Sequence, residues 1–110
     1  MGEIKNLAQL KRHLKPGAAF EITKHWKETL SGHIRQVKEV NTQGIYSVLR
    51  DFPESDISLA NGGRGVYLGW GRASHWEFAK GLCILYRSET RSVENFVLAL
   101  RVLEQEDNNE

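Results

Sequence analysis

One cysteine, two prolines and the absence of any long apolar run set the first limits on this 110-residue chain. A lone Cys83 closes no internal disulfide, which sets aside the disulfide-stapled secreted domains. It supplies no thiolate cluster either. The four histidines, His13, His25, His33 and His75, fall on four separate predicted elements without the short paired spacing of a structural zinc site. No metal and no cofactor is therefore expected. No apolar stretch approaches the roughly 20 residues needed to span a bilayer, so no membrane partner is expected. Residues Met1-Gly2-Glu3-Ile4-Lys5 lack the apolar core of a secretory leader, and a cytoplasmic location is the expectation.

Catalytic patterns are missing as well. Cys83 lies between Leu82 and Ile84, an apolar setting that suits a packed thiol and not an activated one. Ser74 and His75 are sequence neighbours, and neighbours on a turn or strand rarely face each other. Asn61-Gly62-Gly63-Arg64-Gly65 offers backbone N–H groups to an anion. It lacks the Gly-Lys-Ser/Thr ending and the following helix of a nucleotide-binding loop. The chain is accordingly not expected to be an enzyme.

Charge of one sign is also scarce, with a net of +1, but its distribution is uneven. Residues 1–50 carry nine Lys/Arg against four Asp/Glu. Asp51, Glu54 and Asp56 then form an acidic stretch, and four acids sit in residues 104–110. Without that tail the body carries +5, a balance that suits an anionic partner. The expected organisation is one globular domain over residues 1–103, followed by a disordered acidic tail over 104–110.

What the chain does contain is regular punctuation. Aromatic and β-branched runs at Phe20–Trp26, His33–Val40, Ile45–Leu49, Val66–Trp70 and Leu82–Tyr86 are separated by glycine-bearing turns, and a polar stretch from Arg87 leads to the last run, Phe96–Leu103. The last run reads as strand or helix, with Val97 and Val102 favouring the strand. Strict alternation fails in the second run, where Ile34, Val37 and Val40 are odd numbers apart. A β-bulge there would return them to one face. Lys24 interrupts the apolar side of the first run and marks a solvent edge or a site.

Ahead of these runs, Asn6 and Gln9 form a capping-box pattern, Leu7, Leu10 and Leu14 make one apolar stripe, and Pro16-Gly17 stops the helix. The expected fold is α+β: an N-terminal helix and a five- to six-stranded antiparallel meander, strongly twisted or curled into an SH3-like, partly open barrel.

The densest aromatic and basic cluster runs from Arg64 to Lys80. Arg64, Tyr67, Trp70, Arg72, Trp76 and Lys80 are the candidate binding residues, since rings and cations along one edge of a small barrel suit single-stranded nucleic acid or peptide. Strand alternation in a simple meander would place Arg64 and Lys80 at one end of the sheet and Arg72 at the other. The alternative surface is acidic, comprising Asp51, Glu54 and Asp56 on the long loop 50–65.

The phrases Asn6-Leu7-Ala8-Gln9-Leu10-Lys11-Arg12, Gly44-Ile45-Tyr46-Ser47 and Trp70-Gly71-Arg72-Ala73-Ser74-His75-Trp76-Glu77-Phe78 resemble small proteins encoded by bacterial prophages and mobile elements. That resemblance implies a bacterial or phage setting and brings no site residue with it. The resulting expectation is a non-enzymatic regulator or inhibitor that binds a bacterial protein by surface complementarity. The alternative is a small nucleic-acid-binding protein using the basic and aromatic edge.

Overall fold

The computed structural model describes residues 4–103. The expected acidic tail, 104–110, lies outside them. One helix, α1 (Leu7–His13), precedes seven strands: β1 (Ala19–His25), β2 (Ile34–Asn41), β3 (Gly44–Leu49), β4 (Val66–Gly69), β5 (Trp76–Ala79), β6 (Leu82–Tyr86) and β7 (Phe96–Val102). The fold is α+β, with an N-terminal helix on an antiparallel sheet. The strand count exceeds the expected five or six because Trp76–Ala79 pairs with β6 as a strand of its own. The last apolar run is a strand.

Helix α1 forms as its residues dictate. The Asn6 side chain accepts a hydrogen bond from the Gln9 backbone N–H at 2.8 Å. The Gln9 side chain reaches back to the Lys5 N–H, one residue beyond the cap itself. Lys11, Arg12 and His13 occupy the last turn, where the helix dipole favours positive charge. Leu10 and Leu14 are fully buried and Leu7 nearly so. At seven residues the helix is too short to persist alone, so this packing holds it.

Local chemistry also sets the hairpins. Asn41 Oδ1 accepts from the N–H groups of Gln43 and Gly44, which turns β2 back into β3. A Cβ at Gly44 would run into the Leu68 carbonyl oxygen, so only glycine lets β4 lie this close. Lys80 and Gly81 both have positive φ and join β5 to β6 in a two-residue turn, the backbone twist that tight hairpins require.

The strand order is β4-β3-β2-β1-β7-β6-β5, every pairing antiparallel. The sheet is thus two meanders, β1–β4 and β5–β7, joined by β1 against β7. Only six residues connect β4 to β5, yet these strands occupy opposite edges. Such a connection reaches at most about 25 Å. A flat sheet of this size would be about 29 Å wide. The sheet must curl, and Trp76 Nε1–H donates to the Trp70 carbonyl oxygen at 2.7 Å across the gap. Among the described residues β4 and β5 do not pair, so the curl stays open.

All seven strands send side chains inward. Phe20, Val37, Ile45, Leu68, Trp76, Cys83 and Leu100 meet the α1 leucines in one core. The β2 irregularity is a bulge between Val37 and Glu39. It sets Val37 opposite Ser47 and Val40 opposite Ile45, but only Val37 is buried, and Val40 near the strand end is 44% exposed. Ile34 does not join Val37. Its neighbour Arg35 points inward instead and is 1% exposed. No helix among the described residues is long and apolar enough to cross a membrane.

Candidate binding cleft

The Arg64–Lys80 cluster does not form one edge. Trp70 and Trp76 are 3% and 1% exposed and belong to the core, so neither offers a binding face. Their indoles pack into the core that the curl encloses. Tyr67 is half exposed and packs against Tyr46, with ring centroids 5.1 Å apart. Arg64 is exposed and already occupied: its guanidinium lies 4.4 Å from the Tyr46 ring centre and bonds Glu39 at 2.7 Å. Arg72 and Lys80 are exposed on separate loops.

Arg64 and Lys80 lie at opposite strand ends, contrary to the meander expectation. Three antiparallel pairings separate β1 from β4, and three separate it from β5 on the other side. Strands β4 and β5 therefore run in the same direction. Arg64 precedes the start of one and Lys80 follows the end of the other.

The acidic loop divides too. Asp51 and Glu54 are exposed, but Asp56 is buried and leaves that surface. Its Oδ2 accepts from the Arg35 guanidinium at 2.6 Å and from the Leu49 N–H at 2.8 Å. Its Oδ1 accepts from the Ser58 N–H and hydroxyl. Burial raises the Asp56 carboxyl. The two Ser58 bonds, the Leu49 bond and the Arg35 charge more than offset that and hold it at about 2, against an ordinary 3.8.

Among the described residues no three His, Cys, Asp or Glu side chains gather as a metal site. Burial pushes the Cys83 thiol up to about 11, away from the reactive thiolate.

A different place in the fold carries rings and cations together. Where β1 leaves the sheet, Trp26 is 53% exposed. Its backbone N–H donates to the Val97 carbonyl at 2.9 Å, which ties the backbone here to the start of β7. Bulges disturb both neighbouring ladders, at Thr23 in β1 and at Val97 in β7, opposite Leu85 and Tyr86. Bulges of this kind bend strands and re-aim side chains beside sites. Here they frame a cleft of about 550 Å³, lined by Lys24, His25, Trp26, Arg87, Arg91 and Tyr86 among others. Glu28 and Glu94 are the carboxylates on its wall.

Two cations lie over the indole, the Lys27 ammonium and the Arg87 guanidinium, each 5.2 Å from a ring centre. His25 stacks beside it at 6.1 Å. Burial, then the charges of Lys27 and His33, push the His25 imidazole down from its ordinary value. Its Nδ1 takes the Lys27 backbone N–H at 2.9 Å, an acceptor role that suits the neutral ring. The Tyr86 hydroxyl donates to Glu77 at 3.2 Å. Burial and the Glu77 charge raise that phenol, and the nearby Arg91 charge lowers it.

Lys24 is the one signal of this cleft in the sequence, a cation on the apolar side of a strand. Arg87 and Arg91 stand some sixty residues away along the chain, and only the β1–β7–β6 pairing brings them to it. No protein-family model matches the chain, and no curated protein or solved structure matches it either.

Proposed function

We propose that the protein is a non-enzymatic binding module that takes single-stranded nucleic acid in the Trp26 cleft. One observation carries the reading: an exposed indole stands among Lys24, Lys27, Arg87 and Arg91, and among the described residues the cleft wall sets Glu28 and Glu94 against them. An unpaired base offers a flat face to the indole, and its phosphates meet the cations. The reading keeps the nucleic-acid alternative and moves it from the Arg64–Lys80 edge to this cleft. It takes the curled sheet as an SH3-like, partly open barrel and the setting as cytoplasmic.

The test is a titration of fluorescently labelled oligo-deoxythymidylate at increasing salt. Binding should fall steeply as salt rises. Trp26→Ala should lose about 1–3 kcal/mol of affinity, the usual worth of one stacked base. Binding that ignores both salt and Trp26 would overturn the reading.

A second reading rests on Phe52 and Ile57, which are 65% and 87% exposed on the loop that Asp56 anchors. Apolar side chains held out on a fixed loop suit a protein partner. This is the phage or mobile-element regulator reading, with Asp51 and Glu54 beside the contact. Paired Phe52→Ser and Ile57→Ser changes should abolish capture of that partner from a bacterial host while leaving the melting temperature unchanged.

A further inference from the structure

Arg91 lines two clefts. The second, about 480 Å³, lies between residues 5–7 and β5, and its walls include Lys5, Ala73, Trp76, Glu77 and Phe78. Tyr86 belongs to the first cleft and Glu77 to the second, and their 3.2 Å hydrogen bond forms the divide. Arg91 reaches past that divide. Its guanidinium donates to the Trp76 carbonyl at 2.7 Å, which fixes the head group between the two spaces. A guanidinium has five N–H donors, so this bond uses a small part of its capacity.

The second cleft repeats the chemistry of the first. Phe78 lies on its wall, half buried and stacked on Trp76 at 5.9 Å with an 18° angle between the rings. The core thus holds this ring firmly, and the exposed Lys5 supplies a cation beside it. Each cleft thus brings a ring and a cation together, Trp26 with Arg91 in the first and Phe78 with Lys5 in the second, and Arg91 lines both. A single-stranded nucleic acid has the matching alternation of flat bases and charged phosphates.

Resting on the single-strand reading above, we propose that the two clefts form one continuous track. One base stacks on Trp26, the backbone crosses Arg91, and a further base reaches Phe78 with a phosphate near Lys5. The ligand is then an extended strand and not a mononucleotide. Among the described residues Glu77 is the one carboxylate on the second wall, and it opposes the crossing phosphate.

The experiment uses unlabelled oligo-deoxythymidylates of roughly two, four and eight nucleotides, the range of small single-strand sites. They compete against a labelled strand on the full chain. The longest should bind at least about tenfold tighter than the shortest. Lys5→Ala should weaken the longer strands and leave the shortest unchanged. Glu77→Gln, which retains an acceptor for Tyr86, should tighten only the longer ones. Equal affinity at all lengths would overturn the track. So would a length dependence unchanged in both variants, since that would reflect general charge attraction. In either case binding itself would survive, so the Trp26 reading would stand. No binding at any length would remove both.

Discussion

The Arg35 guanidinium and the Asp56 carboxylate meet at 2.6 Å with side chains 1% and 4% exposed, and this contact pins the long loop to the sheet. Arg35 Nε also donates to Ser47 Oγ at 2.9 Å, and a terminal nitrogen to the Ser47 carbonyl at 2.8 Å. An arginine in a small core is costly unless its donors are met, and here they are. The pair orders the loop between β3 and β4, which holds Phe52 and Ile57 in fixed places.

Removing one partner strands the other charge inside. Asp56→Ala should therefore cost about 3–5 kcal/mol. The pH dependence carries a sign as well. The folded pKa of Asp56 is depressed, so its contribution is complete above about 4 and is lost as pH falls towards about 2. The difference from the ordinary value corresponds to about 2 kcal/mol. The melting temperature should drop through that window, and Asp56→Asn should flatten the drop. An equally steep acid transition in Asp56→Asn would assign it to other carboxylates.

Leu10 is fully buried between the sheet and its own helix. Leu10→Ala should lower stability by roughly 2–5 kcal/mol, read as a shift in the denaturant midpoint. An unchanged midpoint would mean that α1 does not support the sheet.

Cys83 is 1% exposed, and its thiol is held protonated by burial. A disulfide reagent should label it slowly in the native protein and at once after unfolding. Fast native labelling would show that β6 opens readily beside the clefts.

Strands were legible wherever a turn residue bounded them, because turn chemistry is local. The β2–β3 hairpin follows from Asn41 and Gly44, and the Val37–Val40 bulge follows from their odd spacing. Ile34 misled because its apolar character suggested an inward position. Arg35 took that position through Ser47 and Asp56, partners 12 and 21 residues away. The pairing of β1 with β7 joins the two ends of the domain and leaves no local trace. The meander expectation failed there, and Arg64 and Lys80 separated with it. Trp70 and Trp76 looked like a surface cluster because arginines flank them. At Trp26 the sequence showed only the flanking Lys24 and Lys27, because the arginines of its cleft come from elsewhere in the chain.

The three tryptophans differ sharply in access: Trp26 is 53% exposed, Trp70 3% and Trp76 1%. Acrylamide should quench one emitting population and spare the rest. In Trp26→Phe the remaining emission should be nearly insensitive to the quencher. Persistent quenching there would place Trp70 or Trp76 in solvent and undo the packing across the β4–β5 gap.

Two pairs of cations separate the cleft from the edge first suggested by the sequence. Arg64 is engaged by Glu39 and Tyr46, and Lys80 stands at the opposite strand end. Arg64→Ala/Lys80→Ala should therefore bind oligo-deoxythymidylate nearly as the parent does. Arg87→Ala/Arg91→Ala should bind more weakly and with a shallower salt dependence, by about 0.7 in the logarithmic slope for each phosphate that is no longer neutralised. Exposed substitutions change stability by under about 0.5 kcal/mol, which predicts a parental melting temperature for the first pair. Arg91 also holds the Trp76 carbonyl, so Arg91→Lys serves as the folding control for the second pair. It keeps the charge while losing the fork of donors, and should retain the salt slope. If the Arg64/Lys80 pair alone reduced binding, the nucleic acid would lie along the outer face of β3 and β4, on Tyr46 and Tyr67.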